Sequence, residues 1–188
     1  MFSVNSLLTP IESKELIRHT ESKGYVPALL NMGNGKEAYK PGIRKSSRCI
    51  LDAPDIANTI YMRLQDVLFS NSTDASTQII GLNPRLRFLR YEEGDVFQRH
   101  RDGVFVHPDG TSVSKYTLQI YLNDGYEGGR TALSVWNQDM AGNRTRKKVV
   151  VEPVVGAAVI FDHTVLHEGG LLERGVKYVM RTDIMVKR

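Results

Sequence analysis

Thr117-Leu118-Gln119-Ile120-Tyr121-Leu122-Asn123 alternates without a break. Successive side chains of an extended chain point to opposite faces, so Leu118, Ile120 and Leu122 share one face. Thr117, Gln119 and Tyr121 occupy the other. The stretch reads as a strand, and the same grammar repeats on either side of it. Residues 85–90, 148–155, 157–161 and 177–186 read as further β segments. Turn clusters separate them: Asp109-Gly110, Asn123-Asp124-Gly125, Glu127-Gly128-Gly129 and Gly169-Gly170. Several short strands at this spacing predict a sandwich or double-sheet barrel, not a parallel βαβ sheet.

Towards the N-terminus the period lengthens. Thr9-Pro10 followed by Glu12 supplies a capping hydroxyl, a proline at the first helical position and an acid in the first turn. A helix is expected over residues 11–23, with Leu16, Ile17 and Thr20 on a short inward face and Gly24 ending it. Residues 55–69 carry Ile56, Ile60, Leu64, Val67 and Leu68 at helical spacing behind Pro54. Gly33, Gly35, Pro41 and Gly42 mark a loop between the helices. The expected organisation is one domain over residues 1–188, mainly β with flanking α: a mainly helical support region at 1–80, then a β core at 84–188.

A chain of 188 residues, 41% hydrophobic and 24% charged, is large enough for one real core. It has no apolar run of about 18 residues, so no membrane span is expected. Residues 1–10 lack the basic-then-apolar pattern of a secretory signal, and Cys49 stands alone. Both point to a soluble, intracellular, most simply cytoplasmic protein. The net charge of +4 raises the question of nucleic acid. Its one concentration, Arg144, Arg146, Lys147 and Lys148, is placed in a loop and reads as a solvated hairpin tip, which disfavours a nucleic-acid partner.

His100-Arg101-Asp102 is a His-x-Asp triplet. In an extended segment both side chains face the same way, so an imidazole and a carboxylate can hold one metal. Two histidines and a carboxylate leave open positions on an octahedral iron(II) for an organic co-substrate and O₂. A lone triplet is more often a surface pair. A third ligand must come from a distant strand, and His163 and His167 both offer one, four residues apart. His19 and His107 are assigned to surface or loop.

The surrounding text decides between them. Residues 86–183 resemble the prolyl 4-hydroxylase-like branch of the 2-oxoglutarate and iron(II) dioxygenases. The resemblance rests on residues 87–103, which run from Arg87-Phe88-Leu89-Arg90-Tyr91 to His100-Arg101-Asp102-Gly103. It continues through residues 117–124, then Glu127-Gly128-Gly129-Arg130-Thr131, residues 155–161, His167-Glu168-Gly169 and Gly175-Val176-Lys177-Tyr178. It implies a double-stranded β-helix (jelly-roll, cupin-like) core with the metal in its mouth and supporting helices before it. It implies His100, Asp102 and His167 as metal ligands, with Fe(II), 2-oxoglutarate and O₂ as cofactor and co-substrates and ascorbate in support. Related halogenases resemble the same pattern with Ala or Gly in place of Asp102, so the carboxylate implies hydroxylation.

The far carboxylate of 2-oxoglutarate needs a cation. The resemblance implies Lys177, ten residues beyond His167; Arg181 is the rival. The two share one strand face yet sit roughly 13 Å apart at about 3.3 Å per residue, too far to divide one carboxylate equally. Tyr121 matches a tyrosine that reaches that carboxylate, Thr131 a residue packed beside it, and Tyr91 an aromatic lining the pocket. Residues 104–115 and 136–148 are expected as polar loops at the mouth that carry specificity. The family branch favours a prolyl residue of a protein or peptide as substrate. A small-molecule, amino-acid or nucleic-acid hydroxylase would share the iron chemistry, and a non-catalytic jelly-roll binding module would share only the fold.

Overall fold

The computed structural model describes residues 1–32, 36–71, 77–138 and 144–188. Its first part holds β1 (Phe2–Val4), α1 (Pro10–Lys23), β2 (Val26–Pro27), β3 (Leu30–Asn31), β4 (Glu37–Ala38), β5 (Arg44–Lys45), β6 (Ser47–Asp52) and α2 (Pro54–Asn71). Next come β7 (Ile79–Leu82), β8 (Arg85–Tyr91), β9 (Val96–His100), β10 (Ser112–Tyr121), β11 (Glu127–Gly128) and β12 (Thr131–Gln138). The last are β13 (Arg144–Val151), β14 (Ala158–Asp162), β15 (Leu166–Gly169), β16 (Leu172–Arg174) and β17 (Lys177–Lys187). Helix α1 starts where Thr9 and Glu12 exchange hydrogen bonds in a capping box, and Gly24 ends it at φ 86°. No helix among the described residues is long and apolar enough to cross a membrane.

Two antiparallel sheets face each other. The larger runs β1-β14-β10-β17-β8-β6-β2 with β7 also on β17; the smaller runs β13-β12-β15-β9-β5. This is the expected jelly roll. The alternation seen at 117–123 now has a physical meaning, because the larger sheet is buried on both faces. Leu118, Ile120 and Leu122 join Leu86, Phe88 and Met180 in an apolar cluster beneath α2, whose Ala57, Ile60, Leu64 and Leu68 close it. The opposite set faces the smaller sheet, where Leu89, Tyr121, Leu133, Phe161 and Val179 form a second cluster. Alternate residues of three adjacent strands therefore look inward: Arg87 and Leu89 on β8, Thr117 and Gln119 on β10, Lys177 and Arg181 on β17.

Three expectations change. The region at 1–80 is not helical throughout: β1, β2 and β6 extend the larger sheet, β5 extends the smaller one, and α1 and α2 are the helices among its described residues. These strands are two to six residues long, too short for their periodicity to register. The segment at 104–115 is not all loop, since Ser112 to Lys115 continue β10, with Ser112 opposite Lys187 and Ser114 opposite Met185. The segment at 136–148 is mostly a hairpin, with β12 and β13 paired from Thr131–Val151 out to Gln138–Arg144. Strand β13 is an edge strand, exposed along most of its length, and such strands share the polar composition of loops. The four basic residues thus lie on a strand. Gly33, Gly35 and residues 139–143 fall outside the described residues.

Candidate metal and co-substrate site

The pairing of β9 with β15 sets His100 directly opposite His167. Asp102 lies two residues past the end of β9, on the same side. One ligand atom from each of the three falls within 4.8 Å of the others, the one cluster of its kind among the described residues. The Nε2 of His167 is 3.6 Å from Asp102 Oδ2, and that of His100 is 4.0 Å from Oδ1. Cis ligands on a small divalent ion sit about 3 Å apart, so a modest contraction closes the set.

Each donor is oriented by a neighbour. His100 Nδ1 lies 2.7 Å from the Gln98 carbonyl and His167 Nδ1 3.0 Å from the Val165 carbonyl. A carbonyl only accepts, so Nδ1 carries the proton in each ring and both Nε2 lone pairs face inward. Burial, then the nearby His167 ring, pulls His100 down to about 4, which keeps it neutral at physiological pH. Burial would raise the Asp102 carboxyl, but the Arg181 guanidinium and the other neighbours hold it well below the usual range. Arg181 donates to Asp102 Oδ1 at 3.0 Å and the Thr117 hydroxyl to Oδ2 at 2.5 Å. An anionic carboxylate and two imidazoles whose Nε2 atoms converge on one point suit iron(II).

The triad lines a cavity of about 650 Å³ that Lys177 lines as well. Lys177 is 2% exposed and donates to the Gly129 carbonyl at 2.6 Å. Its ammonium stands 5.2 Å from the Tyr91 ring centre and 5.8 Å from that of Tyr121. No carboxylate pairs with it among the described residues. Burial pulls it down to about 8, since the charged form is held out of water. The Tyr121 hydroxyl is buried without a hydrogen bond of ordinary geometry and is pushed up to about 12 by burial. Gln119 donates to the Thr131 hydroxyl at 2.9 Å beside it. An unpaired ammonium near an unpartnered hydroxyl fits a carboxylate. Gly129 shapes this end: at φ +60° it turns its carbonyl to Lys177, and a Cβ there would meet Leu172 at 2.8 Å.

Arg181 faces the same cavity but is already engaged, with Asp102 and, at 3.2 Å, with Asp183. Asp183 is 2% exposed and also takes Arg87 at 3.2 Å and Asn83 at 3.2 Å. His163 is buried too, 3.7 Å from Asp183, and stands outside the convergent triad. His19 and His107 are exposed. Sequence reading missed Thr117, Arg87 and Asp183 as members of this network. The available signal was the polar set alternating with apolar residues on strands buried on both sides.

A family model described as the 2OG-Fe(II) oxygenase superfamily matches residues 86–182. No curated protein matches the chain. Solved structures do. The viral collagen prolyl hydroxylase of Paramecium Bursaria Chlorella virus-1, a 2OG complex, is 18% identical at a TM-score of 0.62, covering 98% of this chain and 94% of that one. A Pseudomonas putida prolyl-4-hydroxylase is 18% identical at 0.64, covering 97% and 90%. A Trichoplax adhaerens prolyl hydroxylase, in complex with a hypoxia inducible factor oxygen degradation domain peptide fragment, is 18% identical at 0.67, covering 97% and 82%. At such identities the likeness speaks for the fold, a prolyl 4-hydroxylase-like jelly roll. The matched span exceeds half of the chain and takes in the triad, Lys177 and Arg181, and the chain therefore belongs to the 2OG-Fe(II) oxygenase superfamily of iron(II)- and 2-oxoglutarate-dependent dioxygenases.

Proposed function

We propose that this dioxygenase hydroxylates a C–H bond of a prolyl residue in a protein or peptide, with His100, Asp102 and His167 holding the iron and Lys177 anchoring 2-oxoglutarate. One observation carries the reading: an acceptor triad and a buried, carboxylate-free ammonium share one cavity. Bound iron supplies the coupling of O₂ reduction to oxidative decarboxylation of 2-oxoglutarate, giving succinate and CO₂. The chain does the rest. Arg181 and Thr117 hold the Asp102 carboxylate, backbone carbonyls fix both imidazoles, and Lys177 with Tyr121 receives the distal carboxylate. Because Arg181 is already paired with two carboxylates, Lys177 is the better anchor. The helices share an apolar cluster with the larger sheet, which supports reading residues 1–188 as one domain.

The prolyl-peptide substrate rests on relatives: one structural neighbour is named a collagen prolyl hydroxylase, and another holds a peptide. The test is conversion of 2-oxoglutarate to succinate by Fe(II)-loaded protein with ascorbate, alone and with proline-containing peptides, with a mass shift of one oxygen sought in the peptide. Succinate without any peptide product would retain the dioxygenase and remove the prolyl substrate. No succinate under any condition would favour a binding module.

A further inference from the structure

Three further cations line the cavity: Arg48 pairs with Glu37, Arg101 is exposed and donates to the Thr164 carbonyl, and Arg44 has no role described so far. Arg44, on β5, reaches inward beside β9, its Cα opposite that of Phe97. Its guanidinium lies 4.6 Å from the Phe97 ring centre, and that same ring stacks on His100 at 3.5 Å. Arg44 is thus one aromatic ring away from the triad. Its partners are neutral: the Ser46 hydroxyl at 3.3 Å and the Leu29 carbonyl at 3.4 Å. Burial pulls it down from its ordinary value, although an arginine keeps its charge.

Each carboxylate lining the cavity is already taken. Glu37 pairs in a two-point fork with Arg48, at 2.9 and 2.7 Å. Asp102 and Asp183 share Arg181 and Arg87. Glu168 turns to Lys148 at 2.6 Å and Arg99 at 3.8 Å. Under the proposed function one carboxylate of the 2-oxoglutarate dianion goes to the metal and the distal one to Lys177, so neither is left for Arg44. Among the described residues Arg44 is left without a carboxylate partner. A guanidinium presents a planar fork that matches a carboxylate.

We propose that the site selects a carboxylate-bearing substrate, whose anionic group is bound by Arg44 on the triad side of the cavity. The inference rests on the dioxygenase reading and narrows its substrate class. Two sources offer this group: an acidic residue next to the reacting residue of a peptide, or the carboxylate of a free amino acid.

The test uses full-length protein loaded with Mn(II) and 2-oxoglutarate under nitrogen, so that binding is read without turnover. The probes are matched pairs: acetylated, amidated proline tripeptides carrying Glu or Gln beside proline, and free amino acids with their carboxamides. The expected result is that carboxylate members raise the melting temperature by about 3 °C or more and bind about tenfold tighter than their amides by calorimetry. Whichever arm responds identifies the source. Arg44→Gln should erase the preference, and Arg44→Lys, which keeps the charge, should restore part of it. The proposal is overturned if acid and amide bind alike, if no probe binds, or if Arg44→Gln keeps the preference. It is equally overturned if Arg44→Gln weakens 2-oxoglutarate binding as much as probe binding, since Arg44 then serves the co-substrate. Succinate release by the Fe(II)-loaded wild type without substrate separates failure here from failure of the dioxygenase reading.

Discussion

Asp102 lies between two donors that are not metals, Arg181 and Thr117, and this shapes what its replacement does. Under the proposed assignment Asp102→Ala removes the anionic ligand and leaves Arg181 facing the metal position, so Mn(II) affinity, followed by paramagnetic resonance, should fall by more than about 100-fold. Thr117→Val removes only an orienting hydrogen bond and should cost about tenfold. His163→Ala should bind Mn(II) as the wild type does, because that ring stands outside the triad; a loss equal to that of His167→Ala would mean that the wrong histidine is assigned. Lys177 has a distinct pH signature. Its ammonium titrates near 8 when folded and near 10.5 ordinarily, so the unfolded chain holds more protons between these values. Ligand-free stability should therefore rise with pH across that window. Affinity for 2-oxoglutarate should fall over the same window, as a neutral amine gives the dianion no charge. Calorimetric titration of 2-oxoglutarate into Mn(II)-loaded protein checks this, and a flat profile would remove Lys177 as anchor.

Elements hold those residues in register. Strand β17 supplies Lys177, Arg181 and Asp183 from one face while Met180 and Ile184 on its other face pack under the helices. The turn before β14 ties this core to the N-terminal segment. There the Gly156 N–H donates to the Tyr121 carbonyl at 2.8 Å, and its own carbonyl accepts from Leu8 at 3.1 Å. Gly156 has φ +77°, and a Cβ would fall 1.8 Å from the Leu8 carbonyl oxygen. Gly156→Ala should cost about 2 kcal/mol or more, from backbone strain and displaced contact together, read as a lower urea midpoint. The helices were legible from caps and apolar spacing. Strand β13 was legible only from residue 148 onward, because an exposed edge strand buries little that would impose a period on its sequence, and β12 was missed although Ala132 and Leu133 are buried.

At the scale of the whole molecule, folding and ligand binding are linked through one cavity. Mn(II) and 2-oxoglutarate bind only the folded chain, so each should stabilise it, by about 2.7 kcal/mol at roughly 100 times its dissociation constant. For a chain of this size that corresponds to a melting shift of about 5–10 °C. In Lys177→Ala the metal increment should persist and the 2-oxoglutarate increment largely vanish, which scanning calorimetry would show. Loss of both would indicate a collapsed pocket.

Alternation, helix caps and the His-x-Asp text are local features, set within a few residues by backbone geometry, and so the β core, the two helices and the pair His100 and Asp102 were visible in the chain, while His167 was preferred to His163 only through the family resemblance. Partner choice was not visible. Arg44, Arg87, Lys177 and Arg181 are only cations in a sequence, and their roles depend on which carboxylates the sheets bring opposite them. Burial makes an unpaired charge costly and a paired one quiet, and burial exists only once the two sheets have closed around the cavity. The family resemblance already favoured Lys177, but only the tertiary structure shows that Arg181 is paired with two carboxylates while Lys177 and Arg44 meet neutral partners.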